Sequence, residues 1–196
     1  MDALTRLALA ARHGDESALV RFVEGSLHQV WRLCARLVDE QCADDLAQDA
    51  FIQAVGSLPK FRGDASARTW LLTIARNTCM DELRARTRRR RRDASLVAGA
   101  AVRGPHADTG QEIALADLLT RLDADRREAF VLTQLLGLSY EEAAAVCACP
   151  IGTIRSRVAR ARAHLVDAIT DGGGDPTRAS YDNKSSIYPV TRDMTT

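Results

Sequence analysis

The chain has 196 residues, a formal net charge of +1 and only 5% aromatic residues; alanine, leucine and arginine dominate, a helix-forming composition too poor in β-branched and aromatic residues for a β-sandwich or barrel. The charge is uneven: residues 1–60 carry −3, residues 61–110 carry +6, and residues 111–169 and 170–196 carry −1 each, which excludes a uniformly basic coat and leaves room for a local basic band. No apolar run approaches the roughly 18–20 residues of a membrane span, and Met1–Gly14 lacks a secretory pattern, so the expected setting is the cytosol, with no insertion into a membrane.

Helical periodicity runs through most of the chain. Leu4, Leu7, Ala8 and Ala11 predict a short amphipathic helix that Gly14 ends, and Phe22, Val23, Leu27, Val30, Trp31, Cys34 and Leu37 predict a second. A third spans about 43–58 and stops at Pro59. A loop, Lys60 to Ser66, contains Gly63, and Ser66 is placed to cap a long helix over about 67–92. Periodicity fails over 93–111, where small residues, glycines and Pro105 read as a linker. Helices are expected again at about 112–121, 124–136, 140–147 and 151–170. The tail, 171–196, has three consecutive glycines and two prolines and reads as disordered. The fold class is therefore all-α: two small helical domains, 1–92 and 112–170, joined by a flexible linker.

The clearest local signal lies in residues 136–165. Ser139 and Glu142 have the spacing of a capping box, Cys147 to Pro150 forms a turn, and Pro150 suits the first position of the next helix. Two helices joined by a tight turn are the geometry that delivers a recognition helix into a major groove. On the second helix Ile151, Ile154, Val158, Ala161 and Leu165 make a buried stripe, with Ser156, Arg157 and Arg160 placed opposite and Arg155 and Arg162 at its flanks. Arginines with a serine on one face suit phosphate contacts and bidentate reading of guanine, and the free amides around Ile151–Thr153 suit a phosphate. The same pattern also fits a solvated helix of a small bundle. Cys34, Cys42, Cys79, Cys147 and Cys149 are odd in number and lack zinc-ribbon spacing, so they read as reduced, packed thiols rather than metal ligands.

The first domain offers two contrasting faces. Asn77, Asp81, Arg84 and Arg88 step along one side of the long helix, which ends in the run Arg88 to Arg92, a candidate for neutralising phosphates. The preceding loop, Phe61, Arg62, Gly63, Asp64, Ala65 and Ser66, mixes residues that suit an unstacked base. The third helix instead presents Asp44, Asp45, Gln48 and Asp49 beside Ile52, an acidic, partly apolar face that suits a protein partner. No nucleophile–base pair and no Gly-rich phosphate loop occurs, so no enzyme, catalytic residue or cofactor is expected.

ADDLAQDAFIQAVGSLPKFRGDASARTWLLTIARNTCMDELRAR (residues 43–86) resembles the core of sigma domain two, and LSYEEAAAVCACPIGTIRSRVARAR (residues 138–162) resembles sigma domain four. Their order and spacing resemble the extracytoplasmic-function (ECF) sigma factors over about residues 5–168. The resemblance implies that Asp45, Gln48, Asp49 and Ile52 dock on the β′ clamp helices of core RNA polymerase. It implies that Phe61 to Ser66 capture a flipped base of the −10 promoter element, and that Asn77, Asp81 and Arg84 help to read and melt it. It gives Thr153, Arg155, Ser156, Arg157 and Arg160 to the −35 element, and Leu115, Leu118 and Val131 to holding the β flap. An anti-sigma factor is a further partner of the family. Thr133 and Gln134 depart from the basic–acidic pair that many members carry before the Gly-Leu-Ser-Tyr segment. Apart from the resemblance, the competing reading is a conventional helix-turn-helix repressor or activator with an unrelated helical first domain.

Overall fold

A computed structural model describes the backbone of residues 1–94 and 110–172 and the side chains of residues 1–92 and 115–170. The central part of the expected linker and all of the tail beyond residue 172 lie outside the described residues. Eight α-helices account for the described chain: α1 (Ala3–Arg12), α2 (Glu16–Leu37), α3 (Ala43–Ser57), α4 (Ala67–Ala94), α5 (Gly110–Thr120), α6 (Ala124–Phe130), α7 (Tyr140–Cys147) and α8 (Ile151–Gly172). There is no strand among the described residues.

Side-chain caps open α1, α2, α6 and α7, whereas α3 has none. Asp2, Asp15, Asp123 and Ser139 each accept a hydrogen bond from the amide three residues on. Ser66 accepts from the Thr69 amide at 3.1 Å. The start of α4 is also tied to α1, because the Ala67 amide donates to Thr5 Oγ1 at 2.9 Å while the Thr5 hydroxyl donates to Asp2 Oδ2 at 2.6 Å. These bonds hold the Asp2 carboxyl below its ordinary pKa.

Two departures from the periodicity have local causes. The helix expected over 124–136 is α6 followed by a π-helical turn, Val131–Leu135. There the Thr133 hydroxyl donates back to the Ala129 carbonyl at 2.7 Å, and the Leu136 amide reaches the Val131 carbonyl five residues away at 2.9 Å. Pro150 precedes α8 rather than beginning it; its carbonyl accepts from the Thr153 amide at 2.9 Å.

Helices α1–α4 enclose one core around Phe22, Leu33, Leu71 and Leu72, and α5–α8 enclose another around Leu119, Leu132, Val146, Ile154 and Val158. The two cores meet: α4 packs on α7, and α2 touches α6 and the π-helical turn. Polar bonds cross the seam. Arg68 bridges the Gln29 side chain at 2.7 Å and the Leu136 carbonyl. Arg76 on α4 makes a two-bond ion pair with Glu128 on α6, whose side chain is only 2% exposed. The Glu128 partner raises the Arg76 pKa.

Removing one member of a buried pair strands the other charge, at a cost of roughly 3–5 kcal/mol. Arg76→Ala should therefore lower the thermal midpoint or part the two halves, which small-angle scattering reads as a larger radius of gyration; an unchanged midpoint with an unchanged radius would show that the pair does not hold the seam. Ala148, which ends α7, has φ +51°, a left-handed conformation that strains a non-glycine residue by roughly 1 kcal/mol. Ala148→Gly should raise the thermal midpoint by about 1–2 °C once the entropy of the unfolded glycine is counted, and the β-branched Ala148→Val should lower it. The opposite order would remove the strain argument.

Candidate functional site

Three surfaces carry the residues that the sequence singles out. The first lies on α3. Asp45, Gln48, Asp49 and Ile52 are all exposed and share one face, with Ile52 62% exposed. Beside them, α2 and α3 form an apolar groove of about 840 Å³, lined by Val23, Leu27 and Trp31 from α2 and Phe51, Ile52 and Val55 from α3. Glu24, Asp44 and Gln48 also line it, and the Trp31 indole donates to Asp44 Oδ1 at 2.9 Å, which ties the α2 wall to the start of α3. The α2 wall is not apparent from periodicity, which places Leu27 and Trp31 in the core; Leu27 is 49% exposed. The signal was present, because the apolar residues of α2 occupy a stripe wider than one packed face requires.

The second surface begins at the loop before α4. Phe61 is only 5% exposed; its ring packs on Trp70 at 4.8 Å, and its carbonyl accepts from Arg12 at 2.8 Å. Phe61 is thus the floor of the loop and not an open stacking surface. Arg62, Asp64 and Ala65 are exposed, while the Ser66 hydroxyl is engaged in capping α4. Gly63 has φ +79°, a conformation that a side chain would strain. Asn77, Asp81 and Arg84 are exposed along α4, with Arg84 paired to Asp81 at 3.0 Å. Further along, Arg86 anchors the helix to the end of α2 by its bond to Asp39 and is itself held by Glu82 one turn earlier on α4. Burial raises the Asp39 pKa, but the bonds from Arg86 and Cys42 outweigh it and leave the carboxyl below the ordinary range. Burial and the neighbouring Asp39 push the Cys42 thiol up to about 11, so it is not a reactive thiolate near neutrality.

The third surface is the helix-turn-helix. The capping box is complete: the Glu142 amide donates to Ser139 Oγ at 3.1 Å and the Ser139 amide to Glu142 Oε2 at 2.8 Å. Ile154, Val158, Ala161 and Leu165 are buried, as the stripe requires, while Ile151 at its start is half-buried. Arg155, Ser156 and Arg160 are exposed, and Thr153 is half-buried with its carbonyl accepting from the Ser156 hydroxyl at 3.0 Å. Arg157 differs from its expected place opposite the stripe. At 100° per residue it falls on a flank, where it pairs with Asp125 of α6 and reaches Cys149 Sγ at 3.9 Å. On the other flank, Arg162 donates to Gln134 Oε1 at 2.6 Å. Thr133 is buried and turns its hydroxyl inward to the Ala129 carbonyl, while the neutral Gln134 is exposed and holds Arg162. Leu115 and Leu118 are half-buried, but Val131 is fully buried and offers nothing to a partner. Arg127 clasps the end of α5, donating to the Leu119 carbonyl at 2.8 Å and to the Thr120 and Leu122 carbonyls at 3.1 Å. Among the described residues, no group of three or more His, Cys, Asp or Glu side chains converges as a metal site.

Two family signatures match the chain: sigma-70 region 2 over residues 22–89 and sigma-70 region 4 over residues 112–165. The ECF RNA polymerase sigma factor SigC of Mycobacterium tuberculosis is 47% identical over 177 residues, spanning 87% of this chain and 94% of its own. The ECF RNA polymerase sigma-E factor of Escherichia coli is 37% identical over 164 residues, or 76% and 85% of the two chains. Among solved structures, the sigma factor RpoE of Bartonella quintana, in complex with the anti-sigma factor NepR, superposes with a TM-score of 0.67 at 31% identity over 78% of this chain and 96% of its own. CnrH, in complex with the cytosolic domain of CnrY, does so with a TM-score of 0.67 at 30% identity over 88% and 100%. With a capped helix-turn-helix behind a long helix bearing an exposed polar stripe, and with relatives of one kind along most of its length, the chain belongs to the ECF family of RNA polymerase sigma factors, which give the polymerase its promoter recognition.

Proposed function

We propose that the three surfaces divide the work of promoter recognition. Residues 1–92 act as sigma domain two and residues 112–170 as sigma domain four, with 93–111 connecting them. The α3 face of Asp45, Gln48, Asp49 and Ile52, continued by the apolar groove against α2, docks core polymerase at the β′ clamp helices. The loop from Arg62 to Ser66 receives an unstacked −10 base above the Phe61–Trp70 floor, and Asn77, Asp81 and Arg84 contact the same element. Flipping a base costs a few kcal/mol, which stacking and polar contacts in the loop offset. Arg155, Ser156 and Arg160 read the −35 element, with the helix amides near Thr153 on a phosphate. Arg157 supports this face from its pair with Asp125. Leu115 and Leu118 hold the β flap.

The observation that carries this reading is the coexistence of an acidic, apolar face with two exposed arginine-bearing helix faces on separate helical units. A simple repressor needs only one of the latter. In this reading the chain has no reaction of its own: it is not an enzyme, nucleotide addition belongs to the polymerase, and it acts where the polymerase acts, in the cytoplasm. One structural relative was solved with the anti-sigma factor NepR, and the groove between α2 and α3 is the surface on which such a regulator would compete with core polymerase.

The test is transcription in vitro. Purified chain plus core polymerase should start RNA synthesis from promoters identified by sequencing the transcripts that overexpression induces; failure on all of them would remove the reading in favour of a repressor or a protein that only sequesters core. Asp49→Arg should weaken association with core at least tenfold while promoter DNA binding by residues 112–170 stays intact. Arg155→Ala should cost about 1–3 kcal/mol of discrimination at one −35 base pair, and unchanged −35 selectivity would take Arg155 out of the reading face.

A further inference from the structure

Beyond Arg86, the end of α4 has no role in the three surfaces. Between residues 84 and 92 seven of nine side chains are arginines, and the other two are Ala85 and Thr87. Three of the arginines are held by acids: Arg84 by Asp81, Arg86 by Asp39 and Glu82, and Arg89 by Glu82. Arg88, Arg90 and Arg92 are exposed and make no ion pair among the described residues. The fold thus carries a helix end that concentrates unpaired positive charge in solvent, at the cost of mutual repulsion. A charge of this kind is retained where an anionic partner neutralises it.

We infer that the C-terminal end of α4 binds the phosphate backbone of the DNA duplex lying between the two promoter elements, through Arg88 and Arg92 and without regard to base sequence. The inference rests on the promoter-recognition reading given above. At 100° per residue, Arg88 and Arg92 fall about 20° and 60° from Asn77 around the helix, on the face that carries Asn77 and Asp81, while Arg90 falls on the opposite side. At 1.5 Å per residue they lie about 16 Å and 22 Å beyond Asn77, the length of roughly five to seven base pairs at 3.4 Å each. The base-receiving loop sits at the N-terminal end of α4 and the −35 reader follows its C-terminal end in the chain. In that reading the duplex that joins the two elements runs on from the Asn77 stripe along α4 towards the arginines.

The composition selects the partner. Residues 84–92 have no aromatic side chain, and a surface for single strands uses aromatic platforms on which bases stack. The segment also lacks the apolar anchors that centre a protein interface. Guanidinium groups alone, two of them one helical turn apart on one face, suit phosphates.

The experiment measures equilibrium binding of the complete holoenzyme, built from core polymerase and the full chain, to a promoter fragment between 50 and 200 mM salt, without nucleotides so that no RNA is present. R88A/R92A should flatten the slope of log affinity against log salt by about 1.8, at 0.9 per phosphate contact. Its deficit relative to the unmodified chain would then be about tenfold larger at 50 mM than at 200 mM salt. R88K/R92K should restore the slope, R90A should change it by less than half as much, and replacing the sequence between the elements should leave the difference in place. Alanine suits an exposed helix end, so the fold is kept. An unchanged slope in R88A/R92A, an equal loss in R90A, or a defect that appears only once RNA has been made would each overturn the proposal, the last by assigning the arginines to the transcript. A holoenzyme that does not prefer the promoter over a fragment with scrambled elements would instead overturn the underlying reading.

Discussion

Glu128 is a carboxylate with almost no contact with water, and the charge that compensates it comes from the other half of the chain. An isolated buried carboxylate would shift its protonation or its position. Here Arg76 supplies two hydrogen bonds to it from α4, and Arg68, two turns earlier on the same helix, satisfies the Leu136 carbonyl. The seam between the halves is therefore specified by groups that must find particular partners, in addition to apolar side chains that accept many. One residue after Arg76, Asn77 points about 100° away and stays exposed. The helix that carries the seam thus keeps a separate face open to solvent.

That helix, α4, organises the first half. Its start is capped by Ser66 and tied to α1 through Thr5. Its middle buries Leu71, Leu72, Ala75 and Cys79. Near its end Arg86 fastens it to Asp39 at the end of α2, beside the half-buried Cys42 thiol. A helix of 28 residues is about 42 Å long, and fixing it at three points gives the loop before it and the arginines in its last turns defined positions relative to one another.

The chemical contrast between the surfaces follows from where charge is placed, and the regional totals conceal much of it. The α3 face joins carboxylates to a groove of leucine, isoleucine, valine and aromatic side chains, so a partner must bring both apolar surface and positive charge. Helix α8 lies in a stretch of net −1, and its packing leaves Arg155 and Arg160 exposed. Arg157, of identical chemistry, is taken up by Asp125 from 32 residues earlier.

By itself the sequence determined the helices, the Ser66 and Ser139 caps, the helix-turn-helix and the acidic and arginine-bearing faces, because these depend on neighbours within a turn or two. The capping box of Ser139 and Glu142, the Ser66 cap and the stripe of α8 are all local relations that the chain states directly. Only the tertiary structure decided that Phe61 is a floor, that Val131 is sealed, that Leu27 lines a groove, that Arg157 pairs across to α6, and that Arg76 reaches Glu128. Periodicity defines a residue's direction around its own helix axis. Which other helix lies in that direction, and which charge it carries, is settled when distant segments pack, and that information is spread over residues tens of positions apart.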